Sequence, residues 1–506
     1  MKSKIIKMLS CLLFFSLLLG SYLSVTNLFR NAGNDRLRIT GLYEEGPLDM
    51  IYIGGSSAFV YWQPLKAWHD CGFTSYSYAT NSLEADARLY YMKEALRSHK
   101  PQMFVIEMRD FQILGGTVYE AGMRNGSDSM DVLSPVRIEY IYNYVSKRKV
   151  PKETDLLSLY LDISKYHANK QNLSYPEAWE YIDNRSVCHN KGWEWVDAWG
   201  YVEEPAGFET SVRAGLDDRT MSALKELLEF CREQDMEVLF VTAPFAPVTA
   251  NQEALFNTIG DTVNSYGYRF LNTNDYYKEM NLDFSRDFYN EGHVNLFGAE
   301  KYTAFIEAYI KEHYDLPDHH GDPEYESWNE EYKRFAQEEK EHKATVENLI
   351  QNAAKGREIA AKIKKTDDLS KWMYLSEDER FTILIAQSGQ LSWPEDLEGD
   401  RILQRLGFSR EEHNGIRVIG NTSVIYSNQN DGMKTYEGSF RSGPYAPSYT
   451  YTIEAGGAES SIKIDGLECS LKKTGLNVVV ADNHYGDVID SINITSRNGK
   501  LVFDRE

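Results

Sequence analysis

Short, almost uninterrupted apolar runs alternating with helical segments leave this chain few folds to adopt. Leu48 to Ile53 is such a run, closed by Gly54-Gly55. A strand buried on both faces reads this way, and the glycines mark the turn that ends it. Glu84 to Ser98 then carries Leu, Tyr, Met and Ala at helical spacing, and Met103 to Met108 follows Pro101 as the next apolar run. This is a βαβ unit, whose parallel strands are covered on both faces by their crossover helices. The alternation resumes with Asp217 to Gln234 as helix, Glu237 to Thr242 as strand, Asn251 to Ser265 as helix, Tyr268 to Leu271 as strand and Phe297 to His313 as closing helix.

The two halves predict one α/β domain over residues 45–328, a doubly wound, flavodoxin-like parallel sheet. Between them, at about 112–215, lies an insertion rich in Tyr, Trp and Asp without strand periodicity. An insertion beside the catalytic face of such a sheet is a natural place for substrate selectivity. Asp315 to Pro323 breaks the pattern, and residues 329–375 are highly charged and helical, which predicts a solvated linker. From Phe381 the runs become short and β-type, so residues 376–506 are expected to form a second, mainly β domain. A chain of 506 residues is long enough for both.

The N-terminus sets the compartment. Lys2, Lys4 and Lys7 precede an apolar run from Met8 to about Leu28, long enough to cross a hydrocarbon core of ~30 Å at ~1.5 Å per residue. Positive charge on the short side places that end in the cytoplasm and the folded domains outside. A cleaved signal peptide is the rival reading, but no small-x-small site follows the run, so residues 1–30 are read as an uncleaved anchor in the cell membrane.

A formal charge of −22, from 54 basic and 76 acidic residues, disfavours nucleic acid as a partner. Cys11, Cys71, Cys188, Cys231 and Cys469 lack zinc-type spacing, and neither a metal nor another cofactor is signalled.

Chemistry is suggested at the two ends of the βα array. Asp49-Met-Ile-Tyr-Ile-Gly54-Gly55-Ser56-Ser57 puts a hydroxyl just past the carboxyl end of the first strand, where open α/β sheets build their sites. A turn with a helix-capping Ser would look the same. A phosphate-binding loop would need GxGxxG or a following Lys, which are missing. Ser is a weak nucleophile without a base. Asp287-Phe-Tyr-Asn290-Glu-Gly-His293-Val-Asn295-Leu-Phe-Gly298 supplies a His immediately before the last helix. A His that merely precedes and caps that helix is the alternative.

These two stretches resemble the SGNH/GDSL hydrolase family, especially the membrane-anchored bacterial members similar to the teichoic-acid D-alanyl transfer protein and alginate acetyltransferases. Gly54-Gly55-Ser56-Ser57 with Pro64 matches the family's first block and selects Ser56, with Ser57 as the fallback. The last block, Asp-x-x-His continued as x-Asn-x-x-Gly, is matched by Asn290 to Gly298 with Asn290 in place of the Asp. Asn can orient an imidazole but cannot stabilise imidazolium by charge, and Asp287 is the nearest carboxylate expected to compensate. The resemblance implies oxyanion donors near Ala79, Asn81 or Arg109, where the family's middle Gly and Asn are replaced; an ion pair involving Arg109 is the alternative. Ser461 to Gly466, Gly475 to Val480 and Gly486 to Asp490 are similar to interleukin-like EMT inducer domains, β-rich modules with a suspected glycan-binding role.

The resemblance implies an extracytoplasmic serine ester hydrolase or O-acyltransferase that uses a Ser56/His293 dyad on an O-acylated cell-envelope glycan. A membrane-bound O-acyltransferase is an expected partner. The alternative is a non-catalytic envelope scaffold or glycan-binding partner of such an enzyme.

Overall fold

The computed structural model describes residues 2–505 apart from 31–33, 113–119, 129, 148–154, 175–178, 180, 181, 183–186, 247, 390, 411–414, 421, 422, 429–433, 444, 445 and 457–459, so parts of the expected insertion lie outside the described residues. The chain divides into two compact units. One comprises Met1–Val196, Glu203–Asp287 and Gly292–Lys343, and the other Asp197–Val202, Phe288–Glu291 and Ala344–Glu506.

The first unit is built on a parallel sheet of β1 (Met50–Gly54), β2 (Ser75–Ala79), β3 (Met103–Glu107), β4 (Glu237–Thr242) and β5 (Arg269–Asn272), in the order β2-β1-β3-β4-β5. This is the order of flavodoxin-like doubly wound sheets. Every residue of β1, β2 and β3 is buried, which explains why β1 and β3 read as continuous apolar runs rather than alternations. The expected helices form at Ala87–Ser98, Asp218–Glu233, Ala250–Ser265 and Leu296–His313. Their starts are set by side chains: Asp217 accepts from the amides of Arg219 and Thr220, and Thr249 and Gln252 form a reciprocal capping box.

β2 was not apparent from periodicity. Its sequence is Ser-Tyr-Ser-Tyr-Ala, and its hydroxyls are accommodated by distant partners. Ser75 Oγ accepts from Trp62 Nε1 at 3.1 Å, and Tyr76 Oη donates to the Arg38 carbonyl at 2.5 Å.

The described part of the insertion contains no strand: it carries helices at Glu120–Asp128, Pro135–Lys147, Leu156–Tyr160 and Ile163–Tyr166, and residues 187–215 are irregular. Ahead of the sheet, Lys2–Phe29 forms one helix whose apolar window has a mean hydropathy of 2.0, none of it buried, and which is long enough to cross a membrane.

Glu326–Ile363 is a single helix, but it is not the solvated spacer expected for residues 329–375. Trp328, Phe335, Val346, Ala353 and Ala360 are buried along it. Their spacing is seven within each half and shifts between Phe335 and Val346. Eleven residues are close to three turns and the eighteen from Trp328 to Val346 make five, so these side chains lie along one face of the helix. The division between the two units falls within this stretch, at Lys343/Ala344. In the first unit, Phe335 stacks on Trp195 and Trp328 packs on Trp68.

The second unit is mainly β. Six antiparallel strands run in the order Ser423–Asn428, Ile416–Gly420, Phe381–Ser388, Gly475–Asp482, Val488–Arg497 and Lys500–Asp504. Alternate residues of its central strands face opposite ways. Ile383, Ile385, Val478 and Val480 join a core with helices Leu369–Ser376 and Leu397–Leu406. Leu384, Ala386, Val479 and Ala481 join a second core with strands Tyr449–Ala455 and Ser461–Ile464 of a four-stranded sheet.

Candidate active site

β1 delivers Ser56 to the carboxyl edge of the parallel sheet. Gly55 is extended and precedes the short helix Ser56–Tyr61. A side chain at Gly55 would meet Asp110 Oδ2 at 2.8 Å, so glycine permits the close approach that aims the next residue outward. Beneath this turn lies Arg88, which is fully buried. It donates to Glu107 O at 3.0 Å, Leu83 O at 2.6 Å and Asp110 Oδ2 at 2.6 Å. Arg88 therefore joins the connection that follows β2 to the one that follows β3.

The imidazole arrives from the other end of the array. His293 lies in His293–Val294, just before helix Leu296–His313. Asn295 caps that helix by accepting from Phe297 N at 3.0 Å, and its own Nδ2 donates to Arg286 O at 2.8 Å. A Cβ at Gly298 would lie 2.5 Å from Asp287 O, so the Asn-x-x-Gly that follows His293 packs the helix start against its own loop. Behind His293, the Gly292 carbonyl accepts from Arg109 at 2.6 Å and from Tyr61 Oη at 3.0 Å. Tyr61 Oη also donates to Pro244 O at 2.7 Å.

These supports bring Ser56 Oγ to 2.6 Å from His293 Nε2, although the two residues are 237 positions apart. Both side chains are part-buried rather than sealed. The neighbouring Ser57 is buried, and its Oγ has no hydrogen-bond partner among the described residues, so Ser56 is the hydroxyl that meets the imidazole. Burial and the nearby Arg109 guanidinium lower the His293 pKa from 6.5 to about 3. The ring is neutral at neutral pH, and with its proton on Nδ1 its Nε2 accepts the Ser56 hydroxyl.

The other expected site residues are distributed differently. Asn290 belongs to the short strand Phe288–Asn290, in a segment that falls within the second compact unit. Asp287 is buried, and its Oδ2 accepts from Lys301 Nζ at 2.6 Å and the Asp283 amide at 2.7 Å. That carboxylate holds its own loop, and burial raises its pKa. Ala79 ends β2 directly beside Gly54, level with the start of the serine turn. Asn81 is exposed in the following turn, and its carbonyl accepts from Asn125 at 2.8 Å.

Arg109 is buried and holds the Gly292 carbonyl, while Glu107 Oε1 accepts from the Arg109 amide at 2.9 Å. Burial raises the Glu107 pKa, with Asp110 adding to the rise. The ion-pair reading of this region thus belongs chiefly to Arg88, which sequence reasoning missed together with Tyr61. A charged residue on the otherwise buried face of helix Ala87–Ser98 was the available signal for Arg88. Compared with models of known protein families and with curated protein sequences, the chain matches none.

Proposed function

We propose that the first unit is a serine acyl-ester hydrolase or O-acyltransferase of the SGNH type, acting outside the membrane on an O-acylated envelope glycan. The observation that carries this reading is the 2.6 Å approach of Ser56 Oγ to a neutral His293 Nε2 at the carboxyl end of the sheet. His293 takes the hydroxyl proton as Ser56 Oγ attacks the ester carbonyl. The Ser56 amide, in a first helical turn with unused N–H groups, and the chain beyond Ala79 face the developing oxyanion. Collapse breaks the bond to the glycan oxygen, which leaves with the proton from His293, and an acyl-Ser56 remains. Water then completes hydrolysis, or a sugar hydroxyl completes transfer, with the same imidazole as base.

The test is labelling by a fluorophosphonate. Wild-type chain is expected to form the Ser56 adduct and Ser56→Ala none. Equal labelling of both would refute the assignment.

A second reading is favoured by one specific observation: the charge pressing on His293 is the Arg109 cation, while the Asp287 carboxylate is engaged by Lys301. An imidazole held so low is a poor base, which suits a non-catalytic envelope scaffold or glycan-binding partner of a membrane O-acyltransferase. Turnover of an acetyl-ester reporter by wild type but not by His293→Ala favours the enzyme. Absence of turnover and labelling in wild type favours the scaffold.

A further inference from the structure

The apolar helix changes its surroundings partway along. Residues 4–21 are exposed, whereas Thr26, Asn27 and Arg30 are buried. At ~1.5 Å rise per residue the exposed stretch spans about 27 Å, close to the ~30 Å of a hydrocarbon core. The covered stretch therefore begins where a spanning helix would leave the bilayer.

What covers it is the insertion. Asn169 Nδ2 donates to Phe29 O, and Asn172 Nδ2 donates to Leu28 O, each at 3.0 Å, and also to Arg30 O at 2.7 Å. Arg30 Nε lies 2.8 Å from the buried Asp162 carboxylate, and the same carboxylate meets the buried Arg137. The insertion is thus fastened to the helix at a fixed height.

At that height it presents apolar side chains to the outside. Leu156, Leu157, Leu161, Leu173 and Trp179 are exposed, with Trp179 at 80%. Lys165 and Lys170 stand exposed among them, and the single acid of residues 156–174 is the buried Asp162. This local basic and apolar surface sits in a chain of charge −22. Leu and Trp beside Lys is the composition of segments that lie in a membrane interface.

We propose that residues 156–174 of the insertion, together with Trp179, rest on the lipid surface around the exit of the apolar helix, with Leu156, Leu157, Leu161, Leu173 and Trp179 entering the headgroup and upper acyl region. The inference rests on the reading of Lys2–Phe29 as a membrane span. It assigns the insertion a docking role: the part-buried Ser56–His293 site is held near the membrane by two attachments, the helix and this face.

The test uses the full chain, one copy per nanodisc, in phosphatidylcholine and phosphatidylglycerol with a nitroxide on the upper acyl chain. Bimane is placed on Leu157→Cys, Leu173→Cys or Val212→Cys in a chain whose Cys11, Cys71 and Cys469 are alanine, and separately on native Cys11. Val212 is an exposed apolar reference whose carbonyl is held at 3.1 Å by Asn257, on helix Ala250–Ser265. Positions 157 and 173 are expected to lose most of their fluorescence and 212 little. If Cys11 is quenched while 157 and 173 behave like 212, the span stands and the docking surface is overturned, as it would be were its occupant a protein. If Cys11 is not quenched, the span itself fails and the proposal falls with it.

Discussion

The carboxyl end of the parallel sheet and the helical insertion both bury arginines, but leave them in different company. At the insertion, Arg137 and, from the end of the apolar helix, Arg30 converge on the Asp162 carboxylate, and Arg137 also donates to the carbonyls of Ser127 at 3.0 Å and Leu159 at 2.9 Å. At the sheet, Arg88 takes the Asp110 carboxylate, while the side chain of Arg109 bonds the Gly292 carbonyl beside His293. A buried cation that ends on a carboxylate spends its field locally and fastens chain to chain. A buried cation that ends on a carbonyl still acts on the nearest titratable group: burial first, and Arg109 in addition, lower the His293 imidazole to about 3. The first arrangement suits an anchor, and the second adds to what burial does to the imidazole.

The comparison can be broken most directly at its chemical end. His293→Ala is expected to lower kcat/KM on an acetyl-ester reporter by about 10³-fold or more while leaving the unfolding midpoint almost unchanged. Retained turnover would remove the imidazole from the reaction. At the anchoring end, Asp162→Asn leaves two buried cations without their carboxylate and is expected to cost about 3–5 kcal/mol of stability. Chemical denaturation measures the loss, and fluorophosphonate labelling of the still-folded fraction should persist.

Between these lies the pH response. His293 is protonated in the unfolded chain below 6.5 but in the folded chain only near 3. Its contribution to stability is therefore complete above 6.5 and is lost as pH falls through that window. Activity should likewise persist into acid until the ring is protonated, so the acid limb of kcat/KM should lie well below 6.5. Arg109→Met should move that limb upward, and an NMR titration of the His293 ring would show the same displacement. An unmoved limb would mean that burial alone sets the base. The smallest effect is expected from Tyr61→Phe, which removes one donor shared by Pro244 and Gly292. A loss of about 1 kcal/mol in denaturation is expected, with the labelling rate reduced less than by His293→Ala.

How much of this could be read in advance differs from element to element. β1, β3 and β4 announced themselves because burial on both faces demands apolar residues throughout. β2 did not, because it alternates Ser and Tyr, and the buried hydroxyls of Ser75 and Tyr76 are satisfied by Trp62 and by the Arg38 carbonyl, the latter 38 positions away in sequence. The long helix looked solvated because charged residues dominate it and leave only a narrow buried stripe of Trp328, Phe335, Val346, Ala353, Ala360 and Ile363. Ser56 and His293 were legible from their turns. Asn290 as orienting partner was an inference from motif register, whereas the Gly292 carbonyl behind the ring is held by Arg109 and Tyr61.

The sequence alone determined what depends on neighbours a few residues apart: the apolar span, the βα alternation and the glycine turn before Ser56. Such features follow from local periodicity and backbone geometry. The tertiary structure decided which carboxylate faces which arginine, which of two adjacent serines meets the imidazole, and how far that imidazole's pKa falls. Those outcomes depend on distance and burial between groups hundreds of residues apart, because Coulomb forces and desolvation act through space rather than along the chain.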